Sequence, residues 1–188
     1  MIVTVLYLLH VFYLQLRYDN EEVTEFNQEL RDIVKQMFLV MYAAGGIGLA
    51  APQVGINKRL MIFNEKGSSK YRSHEYAIVN PRITSYSTLL NNQEEGCLSF
   101  PDLYGTVRRP ISILVEYQTI AGEPVSRRYE GYLARIFQHE YDHLDKVTST
   151  RSLFFIHIYI YLYSYSLIYC MMILLSNLYA VYLQGFVH

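Results

Sequence analysis

The densest chemistry in this 188-residue chain is His139-Glu140-Tyr141-Asp142-His143. Two histidines at i and i+4 lie on one face of a helix, where both imidazoles can reach one metal ion. Glu140 then stands beside the metal rather than on it, placed to take a proton from a bound water. So short a pattern also arises by chance on a solvated helix. A second segment, Glu95-Gly96-Cys97-Leu98-Ser99, shifts the balance. A thiolate with two imidazoles is a three-ligand catalytic set that leaves a fourth position for water. The commonest fate of a free cysteine is a small buried hydrophobe. Cys97, however, follows a glycine in the polar stretch Asn91 to Glu95. A third segment runs from Gly46 to Gly55. Its glycines permit close backbone approach, and the Gln53 amide can donate to a developing oxyanion. No Gly-Lys-Ser/Thr follows, so this loop is not a Walker motif.

Those residues must be positioned by regular elements. Leu30, Ile33, Val34, Met37, Phe38 and Met41 form one apolar stripe at helical spacing. Asn27 is the expected cap, Glu29 suits the first turn, and Gly45-Gly46 ends the helix. Arg59 to Asn64 and Tyr76 to Asn80 read as short strands, the second stopped by Pro81. Ile111 to Tyr117, the turn Ala121-Gly122-Glu123-Pro124 and Val125 to Glu130 read as a hairpin. A second helix starts near Gly131 and carries both histidines. Helices among short strands without βαβ alternation predict an α+β fold, with short mixed or antiparallel sheets around a central helix.

The net charge of −1 shows no sign of nucleic-acid binding, and two cysteines make no disulfide framework. Charged residues are 18% of the chain, below the roughly 25% of an ordinary domain. The deficit sits at the ends. Residues 1–16 are apolar, 17–152 carry the globular domain, and 153–188 contain no Asp, Glu, Lys or Arg. The first segment lacks the basic start of a secretory signal and the Arg and Ser of a transit peptide. It reads as a buried strand or a misplaced gene start. The tyrosine-rich tail reads as translated non-coding sequence, because its residues are those AU-rich codons encode. A membrane segment is the alternative.

In order, GIGLAAPQVG, EGCLSFP and QHEYDHL resemble the three signature motifs of the peptide deformylase family. The resemblance runs from about Gln15 to Lys146 and includes Val79-Asn80-Pro81 and Val107-Arg108-Arg109-Pro110. It implies removal of the formyl group from the N-terminal methionine of newly made proteins. It also implies Cys97, His139 and His143 as ligands of one divalent metal ion. Iron(II) is favoured, with zinc possible. Glu140 would be the general acid and base, and the Gln53 amide and Leu98 N–H would stabilise the oxyanion. The backbone at Ile47, Gly48 and Phe100 to Leu103 would pair with the substrate as an added strand. Ile47 and Ile136 are candidates for an apolar methionine pocket.

The implied partner is a nascent polypeptide bearing N-formyl-methionine, near the ribosome, with no direct nucleic-acid contact. The odd ends point to a mitochondrion or plastid, with the bacterial cytoplasm as the other setting. The chain departs from the family's usual pattern before Leu16-Arg17 and after Leu144. Two rival readings are an HExxH metallopeptidase and a catalytically silent, membrane-tethered metal-binding protein. Cys97 argues against the peptidase, which draws its third ligand from a downstream His or Glu.

Overall fold

The computed structural model describes residues 20–97 and 100–145, with side chains for all of these except 97 and 100–103. The apolar start (1–16) and the tail (153–188) lie outside the described residues. Among the described residues, helix α1 (Gln28–Ala43) leads into β1 (Gly48–Ala50), a 3₁₀ turn (Ala51–Val54) and β2 (Leu60–Phe63). A second 3₁₀ stretch (Ser69–His74) precedes β3 (Tyr76–Tyr86), β4 (Leu90–Cys97), β5 (Phe100–Pro110), β6 (Ser112–Gln118), β7 (Pro124–Glu130) and α2 (Gly131–Leu144). None of the described helices is long and apolar enough to cross a membrane.

The expected α+β architecture is present. Strands β1-β2-β3-β6-β7 form a five-stranded sheet in that order, every neighbour antiparallel. Among the described residues, β4 and β5 pair with each other in a separate two-stranded sheet. The period of two along β2 explains the layering. Leu60 and Ile62 join the cluster formed with Leu30, Val34, Met37 and Met41 of α1. Met61 and Phe63 join the one formed with Ile136, Phe137 and Leu144 of α2. All four β2 side chains are fully buried. β2 therefore reads as a continuous apolar run, as a strand covered on both faces must.

α1 begins as its sequence predicts, with Leu30 N–H donating to Asn27 Oδ1 at 3.1 Å. It stops at Gly45, whose φ of 70° is left-handed. The Pro81 expectation needs correcting, because β3 runs on to Tyr86. The ladder to β6 shifts register between Val79 and Arg82, so the missing Pro81 N–H falls in a bulge and breaks no regular bond. Asn80, at φ 50°, turns the chain there. Its Nδ2 donates to Val23 O and Gln118 Oε1, and its Oδ1 accepts from Val23 N–H.

A fully buried side chain at the end of β2 organises the chain next to β1. Asn64 Nδ2 donates to Tyr42 Oη at 2.8 Å and to Ser68 O and Tyr71 O, both at 3.2 Å. Its backbone N–H donates to Ile47 O at 2.8 Å. Asn64→Ala removes a fully buried amide from three part-buried acceptors and should cost about 1–3 kcal/mol, since polar groups left unmet away from water carry a desolvation penalty. Urea unfolding checks it. An unchanged midpoint would mean that water replaces the amide.

Candidate active site

α2 presents two faces. Phe137, Ile136 and Leu144 enter the core, where Phe137 lies 5.3 Å from the Tyr129 ring. The rest of the helix carries His139, Glu140 and His143. His139 and His143 stand with ring centroids 5.2 Å apart at 75°. His143 is 5% exposed and Glu140 4%.

Glu140 faces β1. A Cβ at Gly48 would overlap Glu140 Oε1 and lie 2.7 Å from its carboxyl carbon. The absence of a side chain at 48 is thus what lets the carboxylate sit against the strand. The β1 ladder also decides which backbone groups face away from β2. Ile47 O is taken by Asn64 N–H and Ala50 N–H by Gln53 Oε1, at 2.8 and 2.7 Å. Antiparallel alternation turns the Gly48 N–H and C=O outward.

The Ala50 bond orients Gln53 as well. An N–H can only be met by the amide oxygen, so the donating NH₂ end of this buried side chain points elsewhere. A group placed to donate to an oxyanion needs that orientation.

His139 is oriented by a residue the sequence reading did not assign. Its Nδ1 lies 2.9 Å from Glu95 Oε2. A histidine whose Nδ1–H is held by a carboxylate presents the Nε2 lone pair, the usual arrangement for a metal-binding imidazole. Burial pushes the Glu95 carboxyl up, but hydrogen bonds from His139 and Arg109, with their charge, outweigh it and hold it at about 2. Glu95 is therefore ionised at neutral pH. Arg109 Nε and one Nη grip both its oxygens at 2.7 and 2.9 Å, and Arg135 donates to it as well. Glu95 adjoins the Gly96-Cys97 pair, and Arg109 lies in the Val107 to Pro110 stretch. Both signals were in the sequence without a geometry to join them.

The donor set fits a divalent ion: two imidazoles on one helical face, one fixed by a carboxylate, with the Cys97 strand next to Glu95. Cys97 ends β4 and pairs with Phe100, and Leu103 lies in β5, their side chains being among those not described. Leu98 is outside the described residues. Among the described residues no group of three His, Cys, Asp or Glu side chains gathers that could hold a metal ion; the side chain of Cys97, the third expected ligand, is not described. Ile136 is 3% exposed in the α2-side core, and Ile47 packs against that same cluster.

The family model described as polypeptide deformylase matches residues 8–153. Peptide deformylase 1B, chloroplastic/mitochondrial, of Arabidopsis thaliana is 47% identical over 132 residues, covering 70% of this chain and 48% of the plant protein. Peptide deformylase of Prochlorococcus marinus strain MIT 9312 is 41% identical over 144 residues, covering 73% of this chain and 71% of the bacterial one. A crystal structure of a variant of the Arabidopsis thaliana enzyme 1B superposes with a TM-score of 0.70 at 45% identity, over 72% of this chain and 74% of that one. The chain spans about half the length of the plant relatives it matches. With a family model covering most of its length and a bacterial relative matched over most of both chains, this chain belongs to the polypeptide deformylase family.

Proposed function

We propose that this chain hydrolyses the formamide bond of N-formyl-methionine at the start of newly made polypeptides. The observation that carries the reading is the Glu140 carboxylate, buried against the side-chain-free Gly48 of an edge strand and flanked by two histidines of its own helix. An extended peptide laid along that edge meets the outward Gly48 N–H and C=O and has its first residue beside Glu140.

His139, His143 and Cys97 would hold the divalent ion, iron(II) or zinc(II), that the family requires. When bound, such an ion polarises a carbonyl and brings the pKa of water down to about 7. The protein groups do the rest. Glu140 takes the proton of the attacking water and delivers it to the departing amine nitrogen. The Gln53 NH₂ donates to the formyl oxygen as negative charge builds there, and the Leu98 N–H is the second donor. Ile47, Phe100, Leu103 and Ile136 are the candidate substrate contacts. Formyl is the smallest acyl group, so close packing of Gly48, Glu140 and the imidazoles suits it.

The nascent chain is the partner, taken near the ribosome. The plant and cyanobacterial relatives support an organelle of bacterial ancestry or a bacterial cytoplasm, and the organelle is the setting proposed here.

Formyl-methionyl peptide hydrolysis, with and without a chelator, tests the reading. Activity should disappear with the metal and return with iron(II) or zinc(II). Cys97→Ser should lower metal occupancy and rate together, because a hydroxyl is a poor substitute for a thiolate. Full occupancy and full rate in Cys97→Ser would remove Cys97 from the site. Chelator-resistant deformylation would remove the metal.

A further inference from the structure

Among the described residues, the β4–β5 hairpin forms its own two-stranded sheet, apart from the five-stranded one. Backbone bonds tie the hairpin's base to its surroundings, Ser87 N–H to Ser112 O at 2.9 Å and Gly131 N–H to Ile111 O at 2.8 Å, but no ladder among the described residues fixes its Cys97 end against the helix of His139 and His143. Side chains at 135, 138, 139 and 142 bridge the gap, the i, i+3, i+4, i+7 spacing of one helical face. Arg135 donates to Asn91 O at 2.7 Å and Val107 O at 3.1 Å. Gln138 Nε2 donates to Pro110 O at 3.0 Å. His139 meets Glu95, and Asp142 meets Arg109.

Arg109 is where these bonds converge. Its guanidinium grips both Glu95 oxygens on β4, and its other Nη lies 2.9 Å from Asp142 Oδ2 on α2. The Arg109 and Glu95 side chains are each 7% exposed, and Asp142 22%. Asp142 is the residue before His143, and Glu95 lies two before Cys97. One planar cation thus ties the neighbour of a proposed imidazole ligand to the neighbour of the proposed thiolate. Apolar packing would let a hairpin slide by fractions of an ångström. A desolvated fork with two carboxylates does not, because each displaced charge loses its partner in a dry place. A lysine carries the same charge but lacks the fork.

We propose that Arg109 is a positioning residue of the metal centre. Acting through Glu95 and Asp142, it sets the separation between the thiolate strand and the imidazole helix, and so how firmly the ion is held. This rests on the ligand assignment above.

The test uses the full 188-residue chain loaded with zinc, as wild type, Arg109→Lys and Asp142→Asn. Two quantities are read: the rate of zinc loss to excess EDTA, and amide hydrogen exchange in β4–β5 against β2–β3. Both variants should lose zinc on the order of 10–100-fold faster, the range seen when residues that orient metal ligands are replaced. Faster exchange should be confined to residues 90–110, with β2 and β3 still protected. Wild-type zinc loss in both variants overturns the proposal. So does exchange that rises equally in β2 and β3, which would make Arg109 a general stability residue. If Arg109→Lys does not fold, the near-isosteric Asp142→Asn decides by the same criteria. If wild type binds no zinc, the ligand assignment fails, and the exchange arm alone decides whether Arg109 holds the hairpin: unchanged hairpin exchange in both variants overturns that role.

Discussion

Glu140→Ala is expected, on the proposed function, to keep its metal and to lose on the order of 10²–10⁴ in deformylation rate, the usual share of a positioned general acid–base. The side chain is 4% exposed and abuts Gly48, on the strand edge where the peptide is proposed to lie, so it is placed to move protons there. The imidazoles on either side are one helical turn apart without it, and His139 keeps its Glu95 partner. Metal content per chain, measured beside the rate on a formyl-methionyl peptide, separates the two roles. A variant that loses metal and regains normal turnover when metal is resupplied would make Glu140 a structural neighbour and not a proton carrier.

Gly48→Ala is expected to do nearly as much damage through the same carboxylate. The added methyl would overlap Glu140 Oε1, and neither backbone can easily yield. β1 is pinned by its ladder to the fully buried β2, and α2 is pinned by Phe137 and Leu144 in the core. The carboxylate has to swing, and a catalytic group misplaced by about 1 Å costs on the order of 10². The diagnostic is non-additivity. Gly48→Ala combined with Glu140→Ala should be scarcely worse than Glu140→Ala alone, as judged by kcat/KM. Losses that multiply would show that residue 48 acts by another route, such as blocking the peptide on the strand edge.

The grouping of His139, Glu140 and His143 was legible in the sequence because its signals are short-range. His139 and His143 are placed by helical periodicity alone, and Asn27 and Gly45 by the demands of helix ends. The α+β character followed from apolar patterns in α1, β2 and α2 that each meet a core face. The β4–β5 hairpin was not legible. Asn91 to Glu94 are exposed, and the inward-facing Glu95 is paired with arginines, so no alternation of apolar and polar residues marks β4 as a strand. Its partners Arg109 and Arg135 lie 14 and 40 residues away, beyond the reach of any local pattern. Pro81 misled for the opposite reason. Its local rule is sound, but a register shift in β3 provides a place where the missing donor does no harm.

The position of α2 in the chain has a consequence for the protein's own synthesis. Every described strand precedes it, yet it supplies Ile136, Phe137 and Leu144 to the core that Met61, Phe63, Ile78 and Tyr129 share. A growing chain can close the α1 side of the sheet early, while the other face stays bare until Leu144 has left the ribosome. A product that stops before Gly131 has all seven described strands but neither histidine, and shows solvent an apolar sheet face of the kind that aggregates or attracts proteases. His139, Glu140 and His143 arrive with the same fourteen-residue helix that buries that face, so truncation is expected to yield a misfolded fragment rather than a merely weakened protein.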